Sequence, residues 1–356
     1  MPDGLTGRAD RLLVTTDAVG GVWRYAVELS AALAARRVAV VLANMGPPAS
    51  PAQRAEAEAI PGVILVETTL PLDWTAPDPD ALARARAGLR ALAVRFGVRS
   101  VHLHAPALVG AEPWPVPVVV VAHSCVGTWW RTLRGGPLPA DLAWRAAATG
   151  EGLRWADVAV APSGAFAEAL RDQYGIERVE VIHNGRRPVP DAAPVARAVL
   201  AAGRLWDEAK GMAALDRAAA TLDAPVRAAG PVRGPGGTAT FAHLDLLGAL
   251  DESGMAQARS AATVFAAPSR YEPFGLAALE AAQAGQALVL ADIPTFRELW
   301  DGAALFASDD DLAAALRSAL DDPAPLAARA RERARRYSAE AMAARTLALH
   351  ESVWVH

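Results

Sequence analysis

Short apolar runs alternate along this chain with stretches of helical periodicity, and this alternation restricts the possible folds more than any other feature. Runs that are apolar throughout predict strands covered on both faces, as in a parallel sheet between helices. We predict strands in the first half at residues 11–16, 38–42, 63–66, 98–103, 116–122, 156–161 and 178–182. In the second half they fall at residues 198–202, 226–229, 263–267, 287–290 and 303–306. The predicted fold class is α/β with parallel sheets.

A break in this pattern divides the chain. The length of 356 residues fits two domains of ordinary size. A turn around Gly185 is followed by Pro188, Pro190 and Pro194, which together are typical of a linker. We therefore predict domains at residues 1–185 and 186–336, followed by a helical segment at 337–356. Within the second domain, residues 230–237 are rich in glycine and proline and predict a loop.

Composition excludes several classes of protein. Hydrophobic residues make up 53% of the chain and charged residues 21%, which is enough to build a sizeable core. The net charge of −4 gives no support to nucleic acid as a partner. Cys125 is the only cysteine, so no intramolecular disulfide forms and a reducing cytoplasm fits. The first residues lack a signal-peptide pattern and no apolar run reaches membrane-spanning length, so we expect a soluble protein.

The stretch at residues 266–285 predicts an anion site. A buried strand breaks at Pro268 into a polar loop, and a helix begins near Gly275. The backbone N–H groups around Phe274, Gly275 and Leu276 would point at whatever lies before that helix, where the helix dipole favours negative charge. A diphosphate would fit there.

Two glutamates lie beside this positive helix end. Glu272 stands in the loop, and Glu280 lies about two turns further along the helix on a similar face. Carboxylates do not bind phosphate, but they accept hydrogen bonds from hydroxyl groups. A ligand that has phosphate groups at its centre and hydroxyl groups on both sides, such as a nucleotide sugar, would account for the backbone amides and both glutamates together.

The context EPFGLAALEA around Glu272 and Glu280 resembles the paired-glutamate motif of the retaining GT-B glycosyltransferases of family GT4. The resemblance implies that Glu272 contacts the donor sugar and Glu280 the ribose. It also implies two Rossmann-like domains that face each other across a cleft, with the donor mainly on the second, the acceptor mainly on the first, and a C-terminal helix that crosses back to the first. The alternative is that Glu272 caps a helix and Glu280 is a solvated helix residue.

Other second-half residues join this interpretation. Arg204 and Lys210 follow the strand at 198–202 and would stabilise the negative charge that grows on a departing diphosphate. They resemble the arginine and lysine pair of GT4, although their spacing is one residue longer than the usual form; the alternative is two solvated surface cations. Residues 246–250, which end at Leu250, resemble the segment that contacts the nucleotide base, a contact made through the backbone.

The first half offers a matching set at strand ends. Gly20 and Gly21 resemble the glycine pair whose backbone approaches the donor phosphates in GT4 enzymes, and a tight turn is the alternative. His123 resembles the histidine that the family places near the donor sugar, and a histidine satisfied by backbone is the alternative. His102 and His104 share a strand face and with His123 could hold a metal. No carboxylate accompanies them, however, and the resemblance implies an enzyme without a metal or other cofactor.

Residues 127–145 combine aromatic surfaces with arginines, as does Trp74 more weakly. Aromatic faces stack on sugars and arginines bind phosphates, so this segment is a candidate acceptor edge. Contact with a membrane surface and simple covering of the domain edge are the alternatives. The residues concerned are Trp129, Trp130, Arg131, Arg134, Trp144 and Arg145.

These expectations combine into one function. The resemblance implies transfer of a hexosyl unit from a nucleoside-diphosphate sugar, UDP favoured and GDP possible, to a hydroxyl of a sugar or lipid-linked acceptor with retention at the anomeric carbon. Polysaccharide, glycolipid or glycoconjugate synthesis is the setting, in the cytoplasm or at the inner face of the membrane. A GT-B-shaped nucleotide-sugar epimerase or hydrolase is one alternative. A non-catalytic donor-binding partner in a glycan assembly is the other.

Overall fold

The computed structural model describes residues 10–189, 196–234 and 237–354, and the chain separates into two compact units. The first unit comprises the chain up to Arg131, Gly135–Gly185 and the chain from Ala339 onward. The second comprises Thr132–Arg134 and Arg186–Ser338. Pro190 and Pro194 of the predicted linker lie outside the described residues.

The first unit is built on a seven-stranded sheet in the order β3-β2-β1-β4-β5-β6-β7, in which every pair is parallel. Its strands are β1 Arg11–Asp17, β2 Ala39–Met45, β3 Val63–Glu67, β4 Ser100–Leu103, β5 Val118–Val121, β6 Val158–Ala161 and β7 Glu180–Val181. Its helices include α1 Gly21–Ala34, α2 Pro51–Glu58, α3 Pro79–Phe96, α4 Val126–Leu133, α5 Ala140–Trp155 and α6 Gly164–Tyr174.

The second unit is built on a six-stranded sheet in the order β12-β9-β8-β13-β14-β15, again with every pair parallel. Its strands are β8 Val199–Ala202, β9 Val226–Ala229, a short hairpin of β10 Arg233–Gly234 and β11 Gly237–Thr238, β12 Asp245–Gly248, β13 Val264–Ala267, β14 Ala287–Ala291 and β15 Leu305–Ala307. Its helices are α7 Met212–Ala219, α8 Glu252–Ser260, α9 Leu276–Gln283, α10 Pro294–Trp300, α11 Leu312–Asp321 and α12 Pro323–Ala334.

The last helix, α13 Ala339–Val353, belongs to the first unit. Met342 and Ala343 lie in the same buried cluster as Leu29 and Leu33 of α1. Apolar residues on one face of the helix therefore complete the core that covers the sheet. No helix among the described residues is long and apolar enough to span a membrane.

The central strands are buried on both faces, which explains their continuous apolar sequence. Leu12, Leu13 and Val14 of β1 are fully buried, as are Leu288, Val289 and Leu290 of β14. Because all strands within each of the two large sheets run parallel, their carboxyl ends share one edge, and the loops that bind ligands in open α/β sheets emerge there.

The predicted strands and their parallel pairing are present, with corrections at the weakly covered elements. The strand predicted at 178–182 is reduced to β7, because an edge strand pairs on one side only. The prediction of a plain loop at 230–237 is wrong at residues 233–234 and 237, where β10 and β11 pair with each other; residues 235–236 lie outside the described part. The sequence interpretation also missed three helices, α2, α4 and α5.

Candidate functional site

The loop between β13 and α9 ends at Gly275, the N-cap of the helix, which has φ +92° and provides no side-chain cap. A Cβ at Gly275 would lie 2.8 Å from Phe296 Cε1, so both the backbone angle and the space require glycine. The Phe274 ring is buried edge-on to Tyr337 at 5.6 Å and serves the core. Leu276 begins the helix. Gly275 offers no side chain as a cap, and within the described residues only Ala278 N of the first turn has a backbone acceptor, Gly275 O at 3.1 Å, so N–H groups at this helix start are available to an anion.

Lys210 and Glu272 form an ion pair beside this helix start. Lys210 Nζ lies 2.6 Å from Glu272 Oε2, and the two side chains are 19% and 17% exposed. Gly211 brings the lysine close, because a Cβ there would lie 1.9 Å from the carbonyl oxygen of Pro268. The loop is also tied down by Arg270 N, which donates to Ala209 O at 2.8 Å.

Arg204 is held by a neighbouring aspartate. Its Nη2 donates to Asp207 Oδ2 at 2.8 Å, and Asp207 Oδ1 accepts from Ala209 N at 3.0 Å. Asp207 is buried whereas the Arg204 side chain is 56% exposed, so the arginine is positioned at one end and open to solvent at the other. The three charged groups Arg204, Lys210 and Glu272 therefore follow the carboxyl ends of the adjacent strands β8 and β13.

Glu280 has two buried arginine partners that the sequence interpretation missed. Arg186 Nε lies 3.0 Å from Glu280 Oε1, and Arg259 Nη1 lies 3.3 Å from Glu280 Oε2. Arg259 also donates to Glu252 Oε1 at 3.0 Å. Both arginines are only 3% exposed. No spacing rule connects Glu280 with its two arginines, because Glu280 lies in α9, Arg259 in α8 and Arg186 in the segment after Gly185.

The segment predicted to contact a base follows β12. Gly248 has φ +69°, and its carbonyl accepts from Gly230 N at 2.7 Å. Leu250 is half-buried and packs against a core cluster of the second unit. The turn thus leads directly into α8, whose first residue Glu252 belongs to the arginine network.

In the first unit, Gly20 and Gly21 follow β1 and are exposed. Gly20 is the N-cap of α1 in an extended conformation, with φ −154°. A Cβ on Gly20 would meet nothing within 4 Å. No group of the chain that the structure describes therefore requires glycine at this position, in contrast to Gly275.

His102, His104 and His123 are brought together at the ends of β4 and β5. The ring centroids of His102 and His104 are 5.1 Å apart, as are those of His104 and His123. Tyr25 of α1 contacts all three rings, closest to His123 at 4.4 Å. A fourth histidine, His350 of α13, joins them.

His350 is held by two polar contacts. Its Nδ1 lies 2.8 Å from Ser100 Oγ, and its Nε2 lies 3.1 Å from His102 Nδ1. Trp354 Nε1 donates to the same Ser100 oxygen at 2.8 Å. We call His102, His104, His123 and His350 the histidine cluster. Sequence alone gave no reason to join residues 250 positions apart.

Burial keeps the histidine cluster neutral. It lowers the pKa of His123 to about 4 and that of His350 to about 3. Burial and the neighbouring imidazoles lower the pKa values of His102 and His104 well below the ordinary range. In the part of the chain that the structure describes, both ring nitrogens of His104 and Nε2 of His123 are buried and have no hydrogen-bond partner. Across the described ranges, no group of three or more His, Cys, Asp or Glu residues is arranged to hold a metal ion.

The aromatic segment forms α4, the start of α5 and the turn between them. Trp129 and Trp130 are half-buried with ring centroids 6.4 Å apart. Arg131 is exposed and donates to Ala169 O at 3.1 Å, and Arg134 just after α4 is also exposed.

Arg145 holds the loop that contains Asp73, a residue that the sequence analysis did not single out. Its guanidinium lies 4.2 Å from the Trp144 ring centroid and donates to the carbonyls of Asp73 and Ala76 at 3.2 and 2.9 Å. The adjoining Trp74 is 52% exposed. Burial of the Asp73 carboxyl raises the pKa of Asp73 to about 6, and the nearby negative charge of Asp17 makes a smaller contribution in the same direction.

Comparison with known families accounts for both halves of the chain. The profile of Glycosyltransferase Family 4 matches residues 19–188. The profile of Glycosyl transferases group 1 matches residues 241–337, which contain Glu272 and Glu280. Together the two profiles include the candidate residues of the first unit and those of the second unit, except Arg204 and Lys210.

One curated relative is a phosphatidyl-myo-inositol mannosyltransferase from Mycolicibacterium smegmatis, 39% identical over 120 residues. The match spans 31% of this chain and only 31% of that protein. Among solved structures, sucrose-phosphate synthase from Thermosynechococcus elongatus superposes with TM-score 0.79 at 20% identity, covering 96% of this chain and 98% of that one. HepE of Anabaena with UDP-glucose gives 0.70 at 18% identity, covering 97% and 100%. At such identities the structures show the fold alone, which is GT-B.

Proposed function

This chain belongs to glycosyltransferase family GT4, and we propose that it transfers a hexosyl unit from a nucleoside-diphosphate sugar to an acceptor hydroxyl with retention at the anomeric carbon. UDP is the favoured nucleotide and GDP the second choice. The acceptor is a sugar or a lipid-linked molecule. The family membership supports glycosyl transfer, and the residues of the second unit support the donor class.

The Lys210–Glu272 pair beside the uncapped start of α9 carries this proposal. The lysine and the helix dipole both favour a phosphate group at that point. The carboxylate next to them suits sugar hydroxyls, which are hydrogen-bond donors. A diphosphate linked to a hexose presents both features at adjacent atoms.

Lys210 is also the only lysine among the 35 basic residues of this chain. Arginine serves at every other position, including the surface, so the composition does not account for the lysine. An ammonium is compact and can aim three donors in different directions, whereas guanidinium is a planar fork. The half-enclosed setting beside Glu272 therefore favours lysine for a role that arginine fills poorly.

The proposed chemistry needs no protein nucleophile. The bond between the anomeric carbon and the diphosphate oxygen breaks, and its electron pair leaves with the diphosphate. The acceptor oxygen attacks the same face of that carbon, and its proton passes to the departing phosphate oxygen. Arg204, Lys210 and the first amides of α9 would stabilise the growing negative charge, which is the largest contribution such a site makes.

The neighbouring proteins support the nucleotide assignment. HepE was solved with UDP, with UDP and glucose, and with UDP-glucose. The curated relative is named as a mannosyltransferase, which keeps a mannosyl donor within the hexosyl class. These names apply to those proteins, and for this chain they rank UDP-hexoses first among the donors to be tested.

The first unit supplies candidate groups for the acceptor. Neutral imidazoles with unpartnered nitrogens at His104 and His123 suit hydroxyl groups, which both donate and accept. The open space around Gly20 leaves room for the backbone of a helix N-terminus to meet a ligand.

A labelling experiment tests the donor site directly. Because Lys210 is the single lysine, an amine-reactive acylating reagent modifies only this side chain and the chain's α-amino group. We expect UDP-glucose, UDP-galactose or a GDP-hexose to slow acylation of Lys210 at least about 10-fold without added magnesium, because the donor diphosphate would occupy the amine. Peptide mass spectrometry measures both amines, and the α-amino group serves as the internal control.

Product analysis then tests the activity. Incubation of the protecting donor with candidate sugar and lipid acceptors should yield a glycoside with the anomeric configuration of the donor, read by proton NMR coupling constants. An inverted product contradicts retention. Conversion or hydrolysis of the donor without an acceptor would favour the epimerase or hydrolase alternative, and protection without any turnover would favour the donor-binding partner.

A further inference from the structure

An arginine-rich pocket lies on the second unit at the end of α12. Residues 329–336 contain five arginines and one glutamate, in a chain whose net charge is −4. The function proposed above uses none of these residues.

The pocket has a volume of about 420 Å³. Four guanidinium groups and one carboxylate line it, around the turn at Gly302. The charged residues are Arg329, Arg333, Arg335, Arg336 and Glu332.

Among the residues that the structure describes, an acidic partner neutralises one of these four lining arginines. Arg335 Nη1 pairs with Glu332 Oε2 at 2.7 Å, and both side chains are more than 70% exposed. Arg333 donates to two backbone carbonyls, Leu299 O at 3.0 Å and Asp301 O at 2.7 Å, which hold it in place without cancelling its charge.

Arg329 and Arg336 are exposed, and their side chains form no ion pair or hydrogen bond within the described residues. Cations near a helix C-terminus commonly offset the helix dipole. Arg333 already meets that need through the carbonyls that it binds. The two unpaired guanidinium groups beside a concave surface are therefore in excess of what α12 itself requires.

This pocket is separate from the donor loop. The turn at Gly302 follows the end of α10 and precedes β15, so it lies at the amino ends of the strands. The loop of Glu272 follows β13 and lies at the carboxyl ends. The two sites thus occupy opposite edges of one parallel sheet.

We propose that this pocket binds a phosphate group. The planar fork of arginine matches phosphate oxygens in bidentate geometry, and several arginines around one concavity can meet one phosphate from different sides. The same chemistry is offered by a free phosphate compound and by the headgroup of an anionic lipid. The site would hold a phosphorylated effector in the first case and attach the second unit to a membrane surface in the second.

Inorganic pyrophosphate is the probe for the free form. Because it would also bind at the proposed donor site, titration calorimetry is done on the full chain carrying Lys210→Gln. Adding Arg329→Gln and Arg336→Gln should weaken binding at least about 10-fold, since two charge-assisted contacts are removed. Arg84→Gln with Arg345→Gln, two exposed helix arginines of the first unit, changes the net charge equally and should leave affinity unchanged.

Vesicles of phosphatidylcholine with phosphatidylglycerol are the probe for the lipid form. Co-sedimentation that requires Arg329 and Arg336 and is absent with phosphatidylcholine alone would assign the pocket to lipid headgroups. Pyrophosphate binding without co-sedimentation would assign it to a soluble phosphate compound. The proposal is overturned if the pocket variant and the Arg84/Arg345 control match in both assays. Because donor protection of Lys210 is read separately, this result does not depend on the glycosyltransferase reaction.

Discussion

The carboxyl edges of the two sheets solve the problem of buried polar groups in opposite ways. In the second unit, buried charges are kept and paired, as Arg259 is with Glu280 and Glu252. In the first unit, the histidines at this edge are kept neutral, as His104 and His123 are by lowered pKa values. The difference teaches that a buried group that cannot lose its proton is retained by pairing, whereas one that can lose its proton is retained in the neutral form.

The physical cause is the desolvation cost. A buried charge without a partner is so unfavourable that it either finds an opposite charge or loses its proton. Arginine cannot lose its proton at ordinary pH, so Arg186 and Arg259 must have carboxylates. Histidine can, so the histidine cluster needs none. Four predictions test this contrast, from the largest expected effect to the smallest.

Removal of Arg259 from its network with Glu280 and Glu252 should have the largest effect on the free energy of unfolding. Arg259→Met leaves Glu280 and Glu252 facing Arg186 alone, and we expect a loss of about 3 kcal/mol of stability because two carboxylates then share one buried positive charge. Urea unfolding of the full chain, followed by tryptophan fluorescence, measures it. Arg259→Met with Glu252→Gln restores the charge balance and should recover part of the loss. An unchanged midpoint in the single variant would contradict the idea that pairing is required.

Changing Lys210 to arginine tests the proposed role of the fixed charge in catalysis. Lys210→Arg keeps the charge but replaces the compact ammonium, and we expect kcat to fall about 10²-fold or more with a smaller change in donor KM. Arg204→Ala should show a fall of similar order, about 10²-fold, because its contact strengthens as charge develops. Steady-state kinetics with the identified donor measures both. Full activity of Lys210→Arg would show that only the charge matters.

We expect acid to destabilise the folded protein because the histidine cluster must bind protons. Each histidine of the cluster has a folded pKa below its unfolded value of about 6.5, so the unfolded state binds more protons and stability falls as the pH drops from about 6.5 towards 4. Asp73 acts in the opposite sense: its raised pKa of about 6 makes the folded state bind more protons between about pH 4 and 6.

His350→Gln removes one titrating group and should reduce the pH slope of stability by up to about 1.4 kcal/mol per pH unit between pH 4 and 6. His243→Gln, at an exposed histidine of the second unit, is the matched control and should leave the slope unchanged. Unfolding midpoints at several pH values provide the measurement. Equal slopes in both variants would remove the cluster as the source of acid sensitivity.

Two glycines provide the most selective test, and Gly20 is the one at which we expect the smallest effect on stability. Gly20→Ala meets no neighbouring atom and should cost only about 0.5 kcal/mol of stability, as an N-cap change, while it weakens donor binding. Gly275→Ala should cost more, about 1–3 kcal/mol, because of its positive φ and the contact with Phe296. Thermal melts and donor titrations of both variants compare them. Unaltered donor binding in Gly20→Ala would show that the open space is not used by the ligand.

Much of the fold was readable from local patterns. Buried parallel strands are apolar throughout, so β1, β5, β8, β13 and β14 stand out in the sequence, and the GT-B prediction is confirmed by the solved structures. Of the three missed helices, α5 has apolar and polar residues that alternate without a clear stripe, whereas α2, which follows a capping box at Ser50, and α4 are each only eight residues long. Their helical state depends on packing against the rest of the unit.

The sequence by itself determined the α/β class, the carboxyl-edge loops and the motif that contains Glu272 and Glu280, because these features depend on residues close together in the chain. Only the tertiary structure decided the partners: Glu280 with Arg186 and Arg259, Lys210 with Glu272, and His350 with His102. Such partners lie up to 248 positions apart, and no periodicity relates them. Desolvation selects them once the sheets have formed, because a buried polar group must find whichever complementary group the fold places within reach.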